Sequence, residues 1–153
     1  MSIKIGIFLS NYYPEISENL YKGALSTLKE YKGKKSIING SEFLYEEPIK
    51  VLSVSGSYEI PVLISRNIEK FDALIALGCI IKGETPHFEF ISSAITNAIM
   101  NLSIQNKKPI GNGVLTCLNK KQAFDRSDPN KVNKGGEAVR GVLSVLGYDT
   151  VDR

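Results

Sequence analysis

Ala73-Leu74-Ile75-Ala76-Leu77-Gly78-Cys79-Ile80-Ile81 runs without a charge and is followed at once by Lys82-Gly83-Glu84-Thr85-Pro86-His87-Phe88-Glu89. The first stretch has no alternation of apolar and polar residues, so it predicts a strand covered on both faces. The second is a helix start. Thr85 is a candidate N-cap, Pro86 suits the first helical position, and an amphipathic stretch continues to about residue 105. Gly83 lets another backbone or a ligand approach closely. A helix N-terminus offers unpaired N–H groups and partial positive charge to an anion. His87, the single histidine of the chain, adds a side chain that exchanges protons near neutral pH. A capped helix whose histidine packs or faces solvent is the plainer alternative, and the spacing leaves both open.

Working outward, the same alternation recurs. Residues 3–9 and 49–54 are short apolar, β-branched-rich runs, and 110–116 is another. Between them lie helical patterns. Ile16, Leu20, Ala24, Leu25 and Leu28 repeat at helical spacing over 16–31, with Asn11 or Ser17 as caps and Pro14 near the entry. A short helix follows Ser57-Tyr58-Glu59-Ile60-Pro61 to about residue 69. The helix after Pro86 places Phe90, Ala94, Ala98 and Leu102 on one stripe. Helices over 120–126 and 135–146 complete the chain. A strand–helix alternation of this kind predicts one α/β domain spanning residues 1–153. We expect a three-layer αβα sandwich around a four-stranded parallel sheet, in the flavodoxin-like order 2-1-3-4. Ligands in such sheets gather at the carboxyl ends of the strands, and those ends carry the chain's polar and glycine-rich turns. Residues 32–48 read as a long surface loop.

Composition narrows the function classes. A net charge of +3 spread over 153 residues gives no nucleic-acid arm, and the densest basic patch, 29–35, reads as a solvated loop. No apolar run is long enough to cross a bilayer, and the first residues lack a signal-peptide core. Cys79 and Cys117 lie in apolar segments without CxxC spacing, which predicts buried thiols in a reducing cytoplasm. One histidine and no cysteine cluster leave a zinc site unsupported. Neither GxxxxGK[ST] nor GxGxxG occurs, so nucleoside triphosphates and dinucleotides have no support.

Weaker motifs sit at the same predicted edge. Gly56-Ser57-Tyr58-Glu59-Ile60-Pro61 is a strand-to-helix turn in which Glu59 could accept ligand hydroxyls, or simply favour the helix dipole. Arg126 and Lys134 flank a loop and could clamp a phosphate, or be solvated charges. Tyr12 and Tyr13 follow the first strand, where an aromatic plane could stack on a heterocycle or merely pack.

Taken together, these segments resemble the lumazine synthase family of riboflavin biosynthesis. The matching stretches are Gly56 to Pro61, Ala76 through Glu89, Gly113-Val114-Leu115-Thr116 and Asn133-Lys134-Gly135. They occur in the family's order over almost the whole chain, and the long segment ending at His87 and its neighbours is the specific one. The resemblance implies condensation of 5-amino-6-(D-ribitylamino)uracil with 3,4-dihydroxy-2-butanone 4-phosphate to 6,7-dimethyl-8-ribityllumazine, phosphate and water. It implies no metal or organic cofactor. By position, His87 would be the proton-transfer residue, and Glu84, Thr85, Arg126 and Lys134 would hold the butanone phosphate. Tyr12, Ser57, Tyr58, Glu59, Cys79, Ile80, Ile81 and Asn112 would hold the ribitylaminouracil.

The resemblance further implies a homo-oligomer, a pentamer or a multiple of one, with sites between subunits, and riboflavin synthase as a candidate partner. Nucleic acid and membrane are not expected. The chain departs from the family at Asn112, where many members have a phenylalanine against the pyrimidine, and at Lys82, often an arginine. Residues 32–50 make a longer segment than usual, and many members carry an additional N-terminal segment before the first strand. A flavin or lumazine carrier without turnover is the alternative function, and a shell-forming protein a third. His87, Arg126 and Lys134 favour the enzyme, since a carrier needs neither proton transfer nor phosphate capture.

Overall fold

The computed structural model describes residues 2–46 and 48–148. Its strands are β1 (Ile5–Ser10), β2 (Lys50–Val54), β3 (Ala73–Ile81) and β4 (Ile110–Cys117). They pair in parallel in the order β2-β1-β3-β4. The helices are α1 (Pro14–Tyr31), α2 (Ile60–Asn67), α3 (His87–Asn106), α4 (Lys120–Ser127) and α5 (Lys134–Val145). Single 3₁₀ turns at Ser57–Glu59 and Ile68–Lys70 bracket α2. The expected αβα sandwich and strand order are both present.

The sheet is apolar on both sides because it separates two cores. Ile7, Ile75 and Leu77 face Leu20, Ala24, Val139 and Leu143 of α1 and α5 on one side. On the other, Phe8, Leu74 and Ala76 face Ile60 and Ile64 of α2 and Ile95 and Ile99 of α3. Central β3 contributes to both clusters from alternate residues, which accounts for its unbroken apolar run.

Three local expectations need correction. The α3 stripe is not the one expected: Ile95 and Ile99 are buried, with Ile91 and Leu102 packed beside them, while Phe90 is 70% exposed. Helix α1 starts two residues earlier than expected, at Pro14, and Tyr13 occupies its N-cap without a side-chain cap bond. Ser17 Oγ instead donates to the Ser10 carbonyl. In α3, Pro86 is the N-cap, and Thr85 Oγ1 accepts the His87 N–H at 3.4 Å.

The 32–48 segment is folded onto the body. Ser36, Phe43 and Tyr45 are buried. Short bridges join Ile3 to Tyr45, Lys35 to Glu42 and Ser36 to Tyr148. Phe43 meets Tyr148 at 5.1 Å between ring centroids. Alternation of Phe43 and Tyr45 on an extended piece sends both rings inward, a period-two signal hidden by charged neighbours.

A glycine seam joins α1 to α5. A Cβ on Gly135 would sit 2.1 Å from the Leu20 carbonyl oxygen, so the two backbones touch there. Asn133, at φ 54° and ψ 54°, caps α5 by accepting the Gly136 N–H at 3.2 Å. Asparagine tolerates this left-handed conformation better than most residues.

Candidate active site

Three chain segments leave the carboxyl edge of the sheet side by side. After β1, Asn11 N–H still donates to the Val54 carbonyl at 3.0 Å. Tyr12 and Tyr13 then project before Pro14 commits the chain to α1. Their rings meet edge to face, 4.9 Å between centroids at 74°. After β2, Gly56 and Ser57 turn into 3₁₀ geometry, and buried Ser57 Oγ donates to the Cys79 carbonyl at 3.4 Å. That link ties the second turn to the end of β3. Gly78 makes it possible, because a Cβ there would meet Ser57 Oγ at 2.6 Å.

These segments and the first turn of α3 enclose a depression of about 230 Å³. Of the residues expected from the sequence, it brings together Tyr12, Ser57, Tyr58, Cys79, Ile80, Ile81 and His87. Tyr13, which the sequence offered beside Tyr12 as an aromatic that could stack or merely pack, also lines it, as do Gly56 and Ile91, which were not among the expected site residues. Its place directly before Pro14 restricts the Tyr13 backbone to extended geometry and so fixes where the ring starts. Glu84 and Thr85 lie exposed in the turn that opens α3, beside the depression without lining it. Across that turn, Lys82 Nζ reaches Glu89 Oε1 at 3.6 Å.

Other expected residues lie elsewhere. Glu59 lines a neighbouring groove between α2 and α3, together with Tyr58. Its carboxylate folds toward Gly56, where an added Cβ would meet Glu59 Oε2 at 2.8 Å. Asn112 and Lys134 line a separate groove of about 390 Å³, between α3 and α5 beside β4. In that groove Lys134 Nζ pairs with Glu137 Oε1 at 3.0 Å. Asn112 Oδ1 accepts the Val114 N–H at 3.1 Å, on the edge strand. Arg126 is exposed on α4 and lines neither depression.

Charge is arranged around this edge. Burial pushes the Cys79 thiol up to about 12, with the neighbouring Cys117 adding to the effect. Burial also raises Cys117, against the opposing pull of the Arg126 guanidinium. The two sulfurs are thus neutral at physiological pH and act as apolar wall. That pull also locates Arg126 near the carboxyl end of β4. One residue before it, Asp125 accepts from Lys121 at 2.7 Å and Lys131 at 2.9 Å. These hydrogen bonds hold its carboxyl down at about 2. They also brace the loop that follows α4, next to Arg126.

Chemically, the depression offers an exposed aromatic face, a buried hydroxyl, apolar strand-end walls and an imidazole at its rim. That set suits a flat polar heterocycle brought next to a proton carrier. Among the described residues no group of three His, Cys, Asp or Glu side chains is placed to hold a metal ion. No described helix is long and apolar enough to cross a membrane.

The family model described as 6,7-dimethyl-8-ribityllumazine synthase matches residues 2–148. A protein of that name, numbered 1, from Rhodopseudomonas palustris is 35% identical over 150 residues, covering 94% of this chain and 83% of its own. The synthase of Buchnera aphidicola subsp. Baizongia pistaciae is 38% identical over 144 residues, covering 93% and 84%. That of an Arthrobacter species is 36% identical over 144 residues, covering 93% and 81%.

Proposed function

The chain belongs to the 6,7-dimethyl-8-ribityllumazine synthase family, and on that premise we propose how its residues divide the reaction. The protein is a transferase of riboflavin biosynthesis. It condenses 5-amino-6-(D-ribitylamino)uracil with 3,4-dihydroxy-2-butanone 4-phosphate to 6,7-dimethyl-8-ribityllumazine, releasing phosphate and water.

In our reading the uracil lies in the depression at the strand ends, flat against Tyr12, with Cys79, Ile80 and Ile81 along its edge. The ribityl chain extends along the turn holding Ser57, Tyr58 and Glu59. The observation that carries this reading is the convergence of Tyr12, Ser57, Tyr58, Cys79, Ile80, Ile81 and His87 on one depression. Glu84 and Thr85 place their backbone at the α3 N-terminus, where the phosphate-bearing ketone would gain the helix dipole. Arg126 pairs with the phosphate in bidentate fashion, and Lys134 supplies a second charge.

The uracil amine attacks the ketone carbonyl, and the adduct loses water to give an imine. Removal of a proton from the neighbouring carbon expels phosphate. The second amine then closes the ring with loss of water. His87 moves protons at the amine and at the eliminating carbon. Juxtaposition of two reactants is the larger contribution, since well-oriented approach supplies about 7–11 kcal/mol in favourable cases.

Asn112 and Lys134 line a groove apart from the depression. This separation supports a site completed by two copies, one lending the depression and the next lending the α3–α5 groove. A ring of such contacts is a pentamer, alone or as the unit of a larger assembly, and riboflavin synthase is the partner that would consume the product. The two buried free thiols suit the cytoplasm.

The test is direct. Purified protein is mixed with both substrates while lumazine absorbance and phosphate release are followed. Stoichiometric lumazine and phosphate are expected. Tight flavin binding without product would instead establish the carrier.

A further inference from the structure

We propose that Tyr13 determines specificity for the heterocyclic substrate, by holding the Tyr12 ring as a stacking plane and donating its phenol O–H to a carbonyl of the uracil ring. The proposal rests on the reading of the strand-end depression as the uracil site.

Four observations lead to it. Tyr13 lines that depression together with Tyr12, Cys79 and His87. Its ring packs on that of Tyr12 as a T-shaped pair, 4.9 Å between centroids at 74°. Tyr12 is itself 67% exposed, so its ring is braced by Tyr13 and still accessible to a flat ligand. The mount is stiff. Tyr13 is the α1 N-cap at φ −116° and ψ 92°, Pro14 fixes the next residue, and the Ser17 N–H donates to the Tyr13 carbonyl at 2.9 Å. The ring also packs onto the α1–α5 core.

The fourth observation concerns the hydroxyl. It makes no hydrogen bond to any described residue, although the ring is half-buried and lines the depression. A ligand that fills the depression strips water from that O–H, which is costly unless the ligand supplies an acceptor. A uracil ring carries two carbonyl acceptors in its plane. Burial, then Tyr12, then Cys79 raise the phenol's pKa, so the hydroxyl is protonated, and a donor, at neutral pH. An anionic phosphate chain would be served better by a cation than by a neutral phenol, and so the preference falls on the heterocycle.

The experiment uses 6-(D-ribitylamino)uracil, which lacks the reacting amine and so reports binding alone, together with its 2-thio and 4-thio analogues. Tyr13→Phe keeps the ring and its packing and removes only the hydroxyl. We expect it to weaken the oxo ligand about tenfold, with the KM for butanone phosphate unchanged. One of the two thio substitutions should cost the wild type about tenfold and Tyr13→Phe nothing further, since sulfur is the poorer acceptor. Tyr13→Ala should weaken binding beyond Tyr13→Phe, because Tyr12 loses its prop. Equal affinity of wild type and Tyr13→Phe, or equal sensitivity of both proteins to both thio ligands, overturns the assignment. If the wild type forms lumazine while Tyr13→Phe matches it, this assignment alone fails. A wild type that binds no uracil overturns the underlying reading, and this assignment with it.

Discussion

Adding one methyl group at Gly135 should open the seam between α1 and α5. The new Cβ would lie 2.1 Å from the Leu20 carbonyl oxygen, 2.9 Å from its carbon and 3.1 Å from its Cα. All three are backbone atoms, so no rotamer change relieves the contact. Ordinary contact begins near 3.4 Å, and the helices must part by roughly 1 Å, a gap that forfeits a quarter to a half of a contact's attraction. Leu20, Ala24, Val139 and Leu143 all pack in that cluster and are fully buried. Overpacking of this kind costs about 1–3 kcal/mol. Replacing a helical glycine by alanine returns about 0.5–1 kcal/mol at best, and less in a first turn. A net loss of about 1–2 kcal/mol lowers Tm by roughly 2–8 °C in a chain of this size. Urea unfolding followed by far-UV circular dichroism should show a lower midpoint at unchanged slope. A Gly135→Ala protein melting within about a degree of wild type would refute the reasoning. Suppression of the defect by Leu20→Ala would refute it too, because the obstructing atom is not in that side chain.

Three further outcomes bear on the site. His87→Ala should lower kcat about a hundredfold yet leave measurable turnover, because positioning survives loss of the proton carrier; stopped-flow absorbance of lumazine decides this, and complete inactivity counts against it. Arg126→Ala should raise the KM for butanone phosphate about tenfold while leaving that for the uracil near wild type; the reverse pattern would move the phosphate elsewhere. Cys79 titrates near 12 in the fold against about 8.5 in an unfolded chain. Between those values the unfolded state has released a proton that the folded state keeps, so stability falls as pH rises. Urea midpoints measured from pH 8 upward should therefore decline less steeply in Cys79→Ala than in wild type, and parallel slopes would contradict the assignment.

Strand β3 was legible to the residue because both its faces are buried and turn-forming residues bound it on each side. Helix α3 was legible as a helix but not by face. Its apolar residues occupy nearly every side, so periodicity cannot choose Ile95 and Ile99 over Phe90 and Ala94, whereas the sheet it lies on can. The 32–48 segment concealed two inward rings among charges, and the T-shaped partner of Phe43 is Tyr148, more than a hundred residues on. Strand ends are where a parallel α/β sheet presents its polar turns, so the cluster around Cys79 and His87 followed from topology. That Asn112 and Lys134 would stand apart from it did not. Their placement depends on β4 being an edge strand and on where α5 crosses it, and neither is written in their neighbours. Nor was the use of Gly135, which serves a backbone contact with Leu20 as well as adjoining Lys134.

The bond from the Val114 N–H to Asn112 Oδ1 bears on how newly made chains avoid one another. An outer strand with free amides invites any passing strand to add to the sheet, the route by which β proteins polymerise. Here the strand spends one amide on its own side chain, two residues back. A strand approaching β4 meets a broken row of donors, so adding it to the sheet would gain one hydrogen bond fewer. Open-ended strand addition is disfavoured at that edge by the chain's own side chain.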